Sequence, residues 1–105
     1  MKQHDLKTWP EPFDAIWNGV KRHEVRKDDR DFRVGDTLRL QEFLPKKEHF
    51  TGRCVMARVT YLTEPTTWGL PEGLCVMSIS VLARCDTEDA YRRWKGLKPA
   101  QVARS

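Results

Sequence analysis

The sequence predicts an α+β fold: a small, mixed but mainly antiparallel β-barrel with a capping helix near its start and a short helix near its end. Three observations predict it. Apolar and polar residues alternate in several segments, most clearly over 37–44, 53–64 and 74–82. Most of these segments lie too close together for helical crossovers, so they pair mainly antiparallel. Five or so strands in a chain of 105 residues leave edges to protect, and curling the sheet into a barrel protects them in the smallest space. The length suits a single domain, read here as 1–95, with 96–105 as a basic, flexible tail.

Each element has its own justification. "HDLKTW" (4–9) is a first strand with Leu6 inward. "PEPFDAIWNGVK" (10–21) is a helix: proline suits its first turn, Glu11 suits the positive end of the dipole, and Phe13, Ile16, Trp17 and Val20 form one apolar stripe. Gly19 supplies its stop. "RHEVRK" (22–27) is a strand charged on both faces, and "DDRDFRVGD" (28–36) is a link with a tight turn at Gly35-Asp36. In "TLRLQEFL" (37–44), Leu38 and Leu40 share a face, opposite Thr37, Arg39 and Gln41. A polar loop is expected over 45–52. In the strand over 53–64, Val55, Ala57, Val59 and Tyr61 share one face, and Cys54, Met56, Arg58 and Thr60 the other. A loop with two prolines and two glycines (65–73) leads to a strand whose Cys75, Met77, Ile79 and Val81 point inward. Asp86 is the expected N-cap of a last helix, with Asp89 at the capping-box position and Tyr91 and Trp94 buried.

Composition narrows the function classes. A formal charge of +4 leans mildly toward anionic partners such as nucleic acid. The three cysteines, Cys54, Cys75 and Cys85, are odd in number and form no CxxC, which argues against a disulfide scaffold or a zinc knuckle. His4, His23 and His49 show no ligand spacing toward them, so neither a metal nor another cofactor is expected. Buried thiols in a reducing compartment are the simpler reading. No apolar run follows the charges of Met1–Lys7 and no stretch approaches membrane-spanning length, so a cytoplasmic protein with no membrane partner is expected. Nothing points to an obligate protein partner.

The densest chemistry lies in "GVKRHEVRK" (19–27). Strand alternation puts Glu24 and Arg26 on one face and His23, Val25 and Lys27 on the other. Lys21, at the helix-to-strand turn, can swing over Glu24 and Arg26. Glu42 continues the leucine face of its own strand, and a carboxylate there needs a partner. Lys21, Glu24, Arg26 and Glu42 would then join two cations to two carboxylates, a set able to trade internal pairs for a ligand's phosphate, amide or carbonyl groups. A solvated ladder of surface ion pairs is the competing reading. Trp9, Trp68 and Trp94 are candidate stacking faces; Trp68, in the loop over 65–73, is placed to cover a cleft.

The stretch from "HDLKTWPEPFDAIWNGVKRHEVRK" through "DDRDFRVGDTLRLQEF" resembles the front of the ASCH domains, in particular the small bacterial and phage DUF3850-type members. Gly19, Lys21, Glu24 and Arg26 match the shared G-x-K-x-x-E-x-R motif. Phe32, Val34, Gly35 and Asp36 match the F-x-V-G-D turn, and "Y-L…G-L…C-V-M-S-I" is similar to the usual ending, so that the likeness covers 4 to about 82. The resemblance implies a PUA-like barrel with a helix capping one end and the motif residues in a cleft beside it. It also implies recognition of RNA, a nucleotide or a nucleoside by the motif residues Lys21, Glu24 and Arg26, to which the pattern of the chain adds Glu42 and Trp68 as ligand-binding residues. Some small members are amidohydrolases that deacylate N4-acetylcytidine. On that alternative Lys21 and Glu24 would be catalytic. Those enzymes carry Thr at the place of Glu24, so water would have to attack here, and Glu42 or Glu64 would stand in for their second carboxylate. A ribonuclease using Lys21 and Glu24 is a third reading.

Overall fold

Alternation and turn chemistry set the order of elements. The computed structural model, which describes residues 1–96, contains β1 (Gln3–Thr8), α1 (Pro10–Trp17), β2 (His23–Lys27), β3 (Thr37–Leu44), β4 (His49–Thr63), β5 (Leu74–Cys85) and α2 (Glu88–Gly96). Apart from Gly96, the tail expected over 96–105 lies outside the described residues. One five-stranded sheet runs β1-β3-β4-β5-β2. β1 pairs with β3 in parallel, and the other ladders are antiparallel. The crossover from β1 to β3 carries α1 and β2.

The sheet curls into a half-barrel whose edges are β1 and β2. Among the described residues no backbone ladder joins these edges, and side chains span the gap. Arg26 Nη2 donates to the Lys7 carbonyl at 2.9 Å, and Arg30 Nη1 donates to the Asp5 carbonyl at 2.9 Å.

The core fills the concave side: Leu6, Leu38, Leu40, Val55, Val59 and Met77 pack against Phe13 and Ile16 of α1. A second, smaller cluster of Cys54, Met56, Cys85 and Tyr91 lies between the convex side and α2. This explains a departure from simple alternation. Residues 54–57 of β4 are all buried because each face of the strand has its own cover.

α1 is shorter than expected. Gly19, at φ +77°, donates to the Ile16 carbonyl and Val20 donates to the Ala15 carbonyl, the two bonds of a Schellman motif. The chain turns away there, so Val20 leaves the apolar stripe and is 82% exposed. The loop expected over 45–52 shrinks to a turn, because β3 and β4 continue as a hairpin on which Phe43 and Phe50 meet edge to face. Tyr61, expected to share the face of Val55, Ala57 and Val59, is exposed because the β4–β5 register shifts between Val59 and Tyr61. A second shift, where Met56 pairs with Ala83 and Ala57 with Val81, puts Ala83 against the smaller cluster, while Val81, half-buried, packs against the main core as expected. The last helix is capped by Thr87, not Asp86: Thr87 Oγ1 accepts from the Ala90 N–H at 3.1 Å.

All three thiols are free and buried, and burial pushes their pKa values up, Cys85 to about 11. None is poised as a nucleophile at neutral pH.

Asp36 ties the link to the sheet. Its carboxylate accepts from His4 Nε2 at 2.9 Å, from the Arg33 N–H at 3.0 Å and from the Lys2 N–H at 3.2 Å. Burial raises its pKa, but these hydrogen bonds outweigh burial and hold it below the ordinary carboxylate value. The folded protein therefore binds this proton less tightly than the unfolded chain. The stabilisation is complete above the unfolded value, near ~4, and is lost as pH falls below that through the folded value. Asp36→Asn should cost about 1–3 kcal/mol at pH 7 and flatten the acid limb of stability, as read by urea unfolding at pH 7 and at pH 3. An unchanged acid limb would remove Asp36 as its source.

Candidate functional site

β2 places the first two site residues. Glu24 pairs across the sheet with Met77 and Arg26 with Cys75, both of which face the core, so the two charged side chains turn to the concave side. Lys21 is placed by the end of α1: its N–H bonds to the Ala15 carbonyl, just after the Schellman turn. Its Nζ then donates to the His23 carbonyl at 2.7 Å and to Glu24 Oε1 at 2.9 Å. Arg26 Nε donates to Glu24 Oε2 at 2.9 Å. Each carboxylate oxygen thus takes one cation. Glu24 is only 3% exposed, so these partners supply the stabilisation a buried carboxylate requires. The ladder of solvated pairs is not what forms.

The three groups sit on the wall of an open hollow of about 400 Å³, lined also by Lys7, Thr8, Trp9 and Pro12. Lys21 and Arg26 face Glu24 there, two cations to one carboxylate, so the hollow is positive; Lys7 lends its backbone, and its ammonium lies over the Phe43 ring, 4.5 Å from the centroid. Trp9 is the residue before α1, with extended backbone, and is 60% exposed beside the charges. Arg26 Nη2 also donates to Thr8 Oγ1 at 3.2 Å, which fixes the guanidinium plane.

Two expected members lie elsewhere. Glu42 is buried on the leucine face, as alternation requires, but its Oε1 accepts from Thr51 Oγ1 at 2.8 Å and lies 3.4 Å from Arg53 Nη1. Arg53 also lies 3.7 Å from Asp14 and stacks over Trp17 at 4.4 Å. Glu42 therefore pins α1 to the sheet and is not bonded to Lys21 or Arg26. Trp68 is 95% exposed in a 3-10 turn with φ +54°, and it does not line the hollow. Nor do Arg92, Arg93 or Lys95 of α2: Arg92 pairs with Glu88 and Asp89, and Lys95 bonds Gln3.

Thr8 and Lys7 were missed from the sequence. An inward Leu6 already implies an inward Thr8, so that signal was present. Lys7 gives Arg26 its backbone carbonyl, which side-chain pattern does not reveal.

With this geometry in hand, comparison with known proteins gives two findings. A family model described as "Domain of unknown function (DUF3850)" matches residues 3–79, which run from β1 into β5 and stop short of α2. The chain is also 43% identical over 67 residues to the "Uncharacterized 12.9 kDa protein in GpA 3'region" of Escherichia phage P2. That match covers 64% of this chain and spans 60% of the relative's length. Among the described residues, no helix is long and apolar enough to cross a membrane.

Proposed function

The chain belongs to the DUF3850 family, and on that premise we propose that it is an ASCH-type, PUA-like domain that recognises RNA or a nucleotide through the Lys21–Glu24–Arg26 cleft. One observation carries the reading. A buried carboxylate holds two cations in fixed positions on the wall of a positive hollow, with an exposed indole beside them. Lys21 and Arg26 keep donors free for a phosphate or a base carbonyl, and Trp9 offers a face for a base. Because Glu24 orients both cations beforehand, less ordering is left to be done on binding. The volume is within the usual range for a site that takes one small molecule. The curled sheet and the helix beside the cleft support the PUA-like part of the reading.

Fluorescence anisotropy with a short labelled single-stranded RNA tests this. Lys21→Ala should weaken binding about tenfold and lower the salt dependence. No binding by the unaltered protein, or equal binding by the variant, would reject the cleft as the site.

The 2.9 Å contact between an amine and a carboxylate also suits proton transfer, which favours a second reading as an N4-acylcytidine amidohydrolase. Acetate released from N4-acetylcytidine and abolished by Lys21→Ala would establish it. If none is released, that substrate is excluded.

A further inference from the structure

Arg26 has a hollow on each side. Beyond the cleft described above lies a second one of about 360 Å³, which shares Val25 and Arg26 with the first and has Lys27, Arg30 and Asp29 on its wall over a floor of Leu6 and Phe32. Both follow the gap between β1 and β2, where the sheet's edges face each other without a ladder. Cations recur along this gap: Lys21 in the first hollow, Arg26 between, Lys27 and Arg30 in the second. The acids are fewer, and Glu24 is already taken by Lys21 and Arg26. Arg26 spends Nε and Nη2 on Glu24, Lys7 and Thr8, which leaves its Nη1 without a protein partner among the described residues.

We infer that the gap binds a single-stranded oligonucleotide, one nucleotide in each hollow, with the phosphodiester between them over Arg26. The inference rests on the proposed function and extends it from a single nucleotide to a strand. Arg26 is the one cation lining both hollows, and its free Nη1 is a charged donor suited to a phosphate oxygen. Repeated positive charge along an open groove matches a repeating anion. Each hollow takes an unpaired base, whose face and edge are free, as those of a duplex base are not.

The full chain titrated by calorimetry with 5′-CMP and with the dinucleotide pCpC, at two salt concentrations, tests this. The dinucleotide should bind at least about tenfold tighter, and its log affinity should fall with log salt more steeply by about 0.7, the increment for one more phosphate contact on a single strand. Lys27 is exposed on β2, and Lys27→Ala should remove most of the dinucleotide's advantage. Equal affinities with CMP binding intact would overturn the inference and leave the proposed function standing. An advantage untouched by Lys27→Ala would overturn it too, because the second hollow would not be the source. Failure of both ligands to bind would overturn both.

Discussion

Glu24→Ala is expected to lower the free energy of unfolding by about 2–3 kcal/mol and to abolish ligand binding in the cleft. Breaking a fully buried ion pair typically costs about 3–5 kcal/mol, because the partner keeps an uncompensated buried charge. Here the partners are less buried: Lys21 is 23% and Arg26 24% exposed, so water relieves part of the penalty. The cations would repel each other and lose their fixed geometry, which is where the binding loss comes from. Glu24→Gln keeps the shape and one acceptor, so its cost should be roughly half as large. Urea unfolding of both variants beside an anisotropy titration checks this. An alanine variant as stable as the parent would show that the carboxylate does not organise the site.

Phe13→Ala should have the largest effect on stability, about 3–5 kcal/mol. The ring is 0% exposed and packs against Trp17 at a centroid distance of 5.8 Å, with the Arg53 guanidinium 5.1 Å from its centroid. α1 has only eight residues, too few to be stable alone, so its core contacts keep it helical. Loosening it also releases the Ala15 carbonyl that positions Lys21. The variant should therefore lose stability and ligand affinity together, as thermal unfolding and anisotropy would show. A loss of stability with affinity preserved below the melting transition would uncouple α1 from the site.

The parts of this fold that were legible in the sequence are those set by local periodicity. Leu38 and Leu40 predicted the inward face of β3 and brought Glu42 with them, and Cys75, Met77 and Ile79 did the same for β5. Glu24 and Arg26 were placed together by the same rule. What was not legible needed information from elsewhere in the chain. Alternation assigns Cys54 and Met56 to an outer face but cannot say that α2 lies over it. Tyr61 was misplaced by a register shift, which depends on the neighbouring strand. Val20 followed the helical stripe in sequence but falls beyond the turn that Gly19 makes. Glu42 was expected to meet Lys21 and Arg26, and nothing in the local pattern marks Arg53 as its partner. Only the β3–β4 hairpin brings Arg53 within reach.

The two guanidinium groups across the gap act as a clasp, where most barrels have a sewn join. Parting β1 from β2 undoes the bonds from Arg26 to Lys7 and Thr8 and from Arg30 to Asp5, each worth about 1 kcal/mol, and unravels no strand. The remaining ladders do not depend on this join, so on the function proposed above a long, threadlike guest would be laid in from the side without being fed through end first.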